Sequence, residues 1–126
     1  MSAPLTGSVP TEEKLLSTLG LCARARKLVT GTPMVCEALR DKRNPIIAVL
    51  EASDTSANTH KKLSDKCAFY GVPLYRIAAD TSRLGRAVGK TGAVAAVGIT
   101  DENLYKALAD KLPPREAVGE SETPNE

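Results

Sequence analysis

Three cysteines, one histidine and two glycine-containing turns are the residues of this sequence whose types and spacing bear on chemistry. Cys22, Cys36 and Cys67 are far apart and odd in number. They fit small buried residues in a reducing compartment better than a disulfide framework or a zinc site. Cys36 falls in the first turns of an expected helix, where the dipole lowers a thiol pKa, but a nucleophile also needs a base. His60 lies on a different helix, so a structural cysteine and a surface histidine are expected. No pair of carboxylates and no metal-spaced ligand set occurs, and neither a catalytic residue, a metal nor a cofactor is expected. The stretch Gly85-Arg86-Ala87-Val88-Gly89-Lys90-Thr91 imitates a phosphate-binding loop and fails twice. Its glycines are separated by three residues where the motif has four, and a helix precedes it and a strand follows it, the reverse of the required order. Nucleotide hydrolysis and a nucleotide cofactor are therefore excluded.

The second turn lies within residues 27–40, read as a short strand over 28–30, a hinge at Gly31 and a helix. Thr32 is the expected N-cap and Pro33 the first helical residue, where a missing N–H costs nothing. Gly31 lets another molecule approach the backbone closely. The first-turn amides, backed by the positive end of the helix dipole, favour phosphate or another electron-rich group. Arg24, Arg26 and Lys27 lie just upstream.

Charge placement agrees. Residues 14–90 carry 14 Lys and Arg against six Asp and Glu, whereas residues 91–126 carry three against seven. A basic body with acidic ends points to a polyanion, RNA or DNA, as the partner. The chain has one Phe, three Tyr and no Trp, too few aromatics to expect a single-strand binder built on stacking platforms. No apolar stretch is long enough to span a membrane, and nothing at the N-terminus reads as a signal peptide; a cytoplasmic protein without membrane contact is expected.

The elements that position these residues follow from periodicity and punctuation. Residues 1–10 read as a flexible segment, residues 11–112 as one domain, and residues 113–126 as an acidic, disordered tail. Thr11 is the expected cap of a helix whose Leu15, Leu16, Leu19, Cys22 and Ala23 make one buried face. After the Gly31 hinge, Val35, Ala38 and Leu39 point inward, and Asn44-Pro45 stops the helix. Residues 46–50 read as a strand buried on both faces. Residues 51–55 form a polar loop offering Ser53, Asp54 or Thr55 as cap of a third helix, with Leu63, Cys67 and Tyr70 as its apolar stripe and Gly71 as its end. Residues 72–77 are a third strand, and Asp80 or Thr81 caps a short helix ended by Gly89. Residues 93–99 are a central strand, and a last helix buries Leu104, Ala107, Leu108 and Leu112 before Pro113-Pro114. The alternation predicts an α/β fold: a three-layer α/β/α sandwich with a four-stranded mixed sheet and about five helices. In such a sheet, ligands gather where strand ends and helix starts converge. The turn at residues 31–37, the loop 51–55 and the loop 90–94 are the candidates to meet there, and their glycines, amides and small groups suit a shaped RNA.

The pieces Lys27-Leu-Val-Thr-Gly31, Ala38-Leu39, Ile46-Ile-Ala-Val-Leu-Glu51, Asp65-Lys-Cys67, Gly71-Val-Pro73 and Leu84-Gly-Arg-Ala-Val-Gly89, with the spacing between them, resemble one known family. They are similar to the large-subunit ribosomal proteins of the seven-Ae/thirty-e type, which bind kink-turn RNA, and most of all to the short bacterial ribosomal-protein-like members. The resemblance spans about residues 12–112 and implies the same α/β/α sandwich. In kink-turn binders the turn after the family glycine carries an Asn-Glu pair that reads sheared guanine–adenine pairs, and a Lys three positions on. Those positions are Pro33, Met34 and Glu37 here, and Glu37 sets a negative charge where the family has a positive one. Gly92-Ala93 stands where the family often has Arg-Pro.

The resemblance implies a non-enzymatic RNA-binding protein, associated with the ribosome or translation, with weak or altered kink-turn recognition. Its partner is structured RNA, ribosomal or kink-turn-like. The expected RNA-contacting residues are Lys27, Gly31, Thr32, Pro33, Met34, Glu37, Arg40, Glu51, Ser53, Lys90, Thr91, Gly92, Ala93 and Val94. The alternative is a protein–protein adaptor on the translation machinery that keeps the fold without the RNA site.

Overall fold

The structure of the chain, a computed structural model, describes residues 3–43 and 45–116, with side chains from Glu12 onward. Five helices and four strands alternate: α1 (Ala3–Arg24), β1 (Leu28–Thr30), α2 (Thr32–Arg40), β2 (Ala48–Glu51), α3 (Ala57–Tyr70), β3 (Leu74–Arg76), α4 (Thr81–Ala87), β4 (Ala96–Ile99) and α5 (Glu102–Ala109). The strands form one mixed sheet in the order β1-β4-β2-β3. β4 is antiparallel to both its neighbours, and β2 is parallel to β3. The expected α/β/α sandwich is therefore present.

Residue alternation along the strands splits the core in two. Ala48 and Leu50 of β2, Val97 and Ile99 of β4 and Tyr75 of β3 face α1, α4 and α5, where Leu15, Leu19, Leu84 and Leu108 are buried. Val49, Ala96 and Leu74 face the other way, onto Val35 and Leu39 of α2 and Leu63 and Cys67 of α3. β2 and β4 are buried at every position because both faces are covered. Gly98 in β4 is a packing glycine: a Cβ there would lie 2.7 Å from the Ile46 side chain.

Several expected boundaries move. α1 starts at Ala3, so Thr11 lies inside the helix and does not cap it; a Thr-Glu-Glu sequence caps only where no earlier turn supplies carbonyls. The cap of α2 is Gly31, with Thr32 already helical. The cap of α3 is Ser56, whose side chain accepts from the Thr59 amide; Ser53, Asp54 and Thr55 remain in the loop. The strands are shorter than their apolar runs because pairing, not hydrophobicity, sets strand length. Tyr70 and Ala107, expected inside, are exposed on the outer sides of their helices. The ends expected at Gly71, in the left-handed conformation, and at Asp80, which accepts from the Arg83 amide, are as expected.

Beyond α5 the chain turns back onto the sheet. Arg115 bridges Tyr75 in antiparallel fashion, and the Glu116 amide donates to the Leu74 carbonyl at 2.7 Å. The tail expected to be disordered from 113 thus pairs with β3 at 115–116. Residues 117–126, like Met1, Ser2 and Asn44, lie outside the described residues.

Candidate functional site

β1 and β2 end, and β4 begins, at the same edge of the sandwich, since Thr30 pairs with Val97 and Glu51 with Ala96. Just past these pairs the Gly31 amide donates to the Ala96 carbonyl at 2.8 Å, and the Ala52 amide donates to the Ala95 carbonyl at 2.8 Å. The backbone of residues 95–96 is therefore held between the turn that starts α2 and the loop that follows β2. Of the three expected loops, the Gly31 turn and the loop 90–94 share a cleft, and the loop 51–55 adjoins them only through the bond from Ala52 to Ala95. Gly31, Thr30 and residues 90–94 line one cleft of about 290 Å³.

Gly31 has φ 93° and ψ 142°, a conformation that side chains do not tolerate and that turns the chain from β1 into α2. The Val35 amide donates back to its carbonyl at 2.9 Å, which opens the helix. Pro33 and Met34 project from this first turn, and Met34 is 59% exposed. Thr32 Oγ1 is buried and has no hydrogen-bond partner among the described residues. Glu37 is exposed a turn further along α2.

The loop 90–94 is pinned onto α4. The Lys90 amide donates to the Gly85 carbonyl at 2.9 Å, and the Val94 amide donates to the Thr81 carbonyl at 3.0 Å. Gly85 itself is part of the site's foundation: a Cβ there would lie 2.1 Å from the Gly92 carbonyl oxygen. In the sequence this glycine opens the stretch 85–91 that imitates a phosphate-binding loop. Its glycine serves close packing of helix against loop. Lys90, Thr91, Gly92 and Ala93 are exposed, whereas Val94 is buried and anchors the loop from below.

The loop after β2 is tied down at each step. The Ser53 amide donates to Ala79, and Arg76 donates to the Ser53 carbonyl at 3.1 Å. Asp54 accepts from the Thr81 amide at 2.8 Å, completing the start of α4. Ser53 is exposed beside this network. Glu51 is not on the surface. It is completely buried, and its carboxylate accepts from Thr55 Oγ1 and from His60 Nδ1, the latter at 2.8 Å. With Glu51 as a carboxylate, which only accepts, His60 Nδ1 is the donor of this bond. Two expectations are corrected together: Glu51 organises the loop from inside and does not face a ligand, and His60 is its partner and not a simple surface residue. The preference for charged residues outside is overridden because two donors meet this carboxylate.

Lys27 and Arg40 stand apart from the cluster. Lys27 lies at the other end of β1, its carbonyl accepting from Thr100 and its ammonium 3.5 Å from Asp101. Arg40 closes α2, about 12 Å of helix from Thr32, and shares a shallow depression with Glu37, Asp41 and Arg43.

Cys22 and Cys67 are buried, and burial raises both thiols, Cys67 to about 12. Among the described residues no group of His, Cys, Asp and Glu could hold a metal ion, and no helix is long and apolar enough to cross a membrane.

Comparison with known proteins finds the same fold and sequence pattern elsewhere. The profile of the ribosomal protein L7Ae/L30e/S12e/Gadd45 family matches residues 13–109. The RNA-binding protein YlxQ of Bacillus subtilis is 39% identical over 94 residues, 75% of this chain and 90% of that protein. A solved structure of a protein of unknown function from Bacillus halodurans is 38% identical, with a TM-score of 0.69, over 78% of this chain and 95% of its own. The Giardia lamblia 15.5kD RNA binding protein, at 21% identity, shares the fold with a TM-score of 0.63 over 81% of this chain and 84% of its own.

Proposed function

This chain belongs to the ribosomal protein L7Ae/L30e/S12e/Gadd45 family, and we propose that it is a non-enzymatic, cytoplasmic protein that binds structured RNA, on the ribosome or in another translation complex. The observation that carries this is the cleft shared by Gly31 and residues 90–94 at the N-terminus of α2. It presents backbone amides, a helix dipole and small side chains, held by hydrogen bonds from three directions. Such a surface is formed before any ligand arrives, so little ordering opposes binding. YlxQ, similar over three quarters of the chain, carries RNA binding in its name, which supports the same reading.

Recognition of kink-turns is weak or altered. Pro33 has no amide and no polar side chain, Met34 presents a thioether, and Glu37 repels phosphate. Contacts by the backbone at Gly31 and Thr32, by the exposed loop 90–93 and by Ser53 remain open to RNA. Val94 and Glu51 act by supporting the loops.

The test is fluorescence anisotropy with two hairpins, one a kink-turn and one with its guanine–adenine pairs replaced by Watson–Crick pairs, each at two salt concentrations. Salt-sensitive binding with little preference between them is the expected result. Strong preference for the kink-turn means Pro33, Met34 and Glu37 form a reading head of their own. The exposed Pro33–Met34 tip favours a second reading, a protein–protein adaptor, and absence of binding to either RNA is its signature.

A further inference from the structure

Two of the four aromatic residues of this chain are outside the core, side by side. Phe69 is 80% exposed and Tyr70 36%, and their rings meet edge to face with centroids 4.8 Å apart. The other two, Tyr75 and Tyr105, are tied to each other by a hydrogen bond between their hydroxyls. A single exposed phenylalanine is unremarkable, but this one belongs to a pair with a face open to solvent. It also has a basic setting. Lys62, exposed, and Lys66, half-buried, precede the rings at helical spacing on α3, and Asp65, which lines the same depression as Lys66 and both rings, is engaged by Lys61 at 3.2 Å.

The place of the pair in the fold adds to this. β1 and β2 are parallel to each other, since each is antiparallel to β4. α2 and α3 follow those strands and pack on the same face, so they run in the same direction. The C-terminal turn of α3, bearing Phe69 and Tyr70, thus shares an end of the sandwich with the C-terminus of α2, which carries Arg40 and is capped by Asp41, with Lys42 just beyond. That end is opposite the Gly31 cleft, separated from it by the length of α3, about 21 Å.

We infer that Phe69 and Tyr70 form a stacking platform for unpaired bases, with Lys62 and Lys66 holding the phosphates of the same strand. Base stacking needs an accessible π face, and strand tracking needs cations along the path of the backbone; Lys66 lines the same depression as the rings, and Lys62 lies one turn further back along α3, about 10 Å of helix from Phe69. The low aromatic content of the chain argues against a single-strand binder built on many platforms, and one platform of two rings agrees with that count. The site extends the proposed RNA-binding reading but stands on other residues. The Gly31 cleft would take the folded element and this platform a single-stranded flank.

The full-length chain is irradiated with an oligouridine containing 4-thiouridine, and the crosslinked peptides are mapped. Affinity is measured in parallel by anisotropy for the wild type, Phe69→Ala, Phe69→Tyr and the double variant Lys62→Ser/Lys66→Ser. Crosslinks at Phe69 or Tyr70 are expected, with about fivefold or greater loss of oligouridine affinity in Phe69→Ala, retention in Phe69→Tyr, and a flatter salt dependence in the double variant. Phe69 is 80% exposed, so its removal is expected to leave the fold intact, which circular dichroism of the variant checks. Crosslinks confined to other peptides, or unchanged affinity in Phe69→Ala, overturn the inference. So does a Phe69-dependent self-association that oligouridine does not compete, which assigns the patch to protein. Loss of hairpin binding with these crosslinks intact overturns only the proposed function of the Gly31 cleft.

Discussion

Glu51 Oε1 lies 2.8 Å from Nδ1 of His60, and the carboxylate is wholly enclosed while the imidazole reaches solvent with about a third of its side-chain surface. The pair joins the end of β2 to the first turn of α3, with Thr55 as a second donor on the loop between them. Removing one donor leaves a buried carboxylate short of a partner. His60→Ala is therefore expected to lower the unfolding free energy by about 1–3 kcal/mol, read from urea denaturation. His60→Gln, which keeps an N–H donor, recovers part of it. An unchanged midpoint in His60→Ala would show that Thr55 and water suffice.

Gly85→Ala tests the link between α4 and the cleft. In an exposed helix this exchange stabilises by roughly 0.5–1 kcal/mol. Here the new Cβ would sit 2.1 Å from the Gly92 carbonyl oxygen, so loop and helix must separate. The expected result is the opposite sign, about 1–3 kcal/mol of destabilisation, with weakened hairpin binding because residues 90–93 shift. Stabilisation with unchanged binding would refute the contact.

Restoring the family's polar readers is a gain-of-function test. Pro33→Asn, Met34→Glu and Glu37→Lys together are expected to raise kink-turn affinity about tenfold or more, ~1.4 kcal/mol. Glu37→Lys alone should steepen the salt dependence by about one released counterion. Affinity of the triple variant equal to wild type would show that these three positions do not set kink-turn affinity.

Alkaline stability turns on Tyr75. Burial, and then the hydrogen bond with Tyr105 at 2.7 Å, push its phenol from the ordinary 10 up to about 12. The folded state holds the neutral phenol, so its contribution is complete below pH 10 and disappears as the pH rises through 12. Ultraviolet titration should show late tyrosinate formation accompanying unfolding. Tyr105→Phe should move its onset downward, because the hydrogen bond and the charge interaction with the Tyr105 hydroxyl are removed while the burial stays.

Thiol reactivity follows burial. Cys22 and Cys67 are enclosed with raised pKa values, whereas Cys36 on α2 is half-buried. A thiol-specific reagent at neutral pH should modify one cysteine rapidly and two only on unfolding. Equal rates at all three would contradict the packing of α1 and α3.

The faces of the helices were legible because apolar side chains recur at helical spacing: Leu15, Leu19, Val35, Leu39, Leu63 and Cys67 are buried as their spacing implies. So was the meeting of the Gly31 turn with residues 90–94, since alternating α and β elements leave few places for loops to go. Caps were harder. Residues 53–56 offer four candidate side chains in a row, and backbone geometry, not composition, selects Ser56 for α3 while Asp54 serves α4. Glu51 was misplaced because a carboxylate ending an apolar run reads as the first surface residue, and the donors that keep it inside arrive from four and nine positions away. Gly85 against Gly92 is contact between separate elements, and a glycine carries no mark of which backbone it faces.

The pairing of Arg115 and Glu116 with Tyr75 and Leu74 has a bearing on the behaviour of the chain in concentrated solution. β3 is an outer strand of the sheet, and unpaired amides and carbonyls along an outer strand are a template for a second copy. By lying along β3, the segment after the double proline occupies that template. Those few residues serve as a guard against edge-to-edge polymerisation, and a chain cut after Leu112 would expose a sticky flank that the intact chain keeps covered.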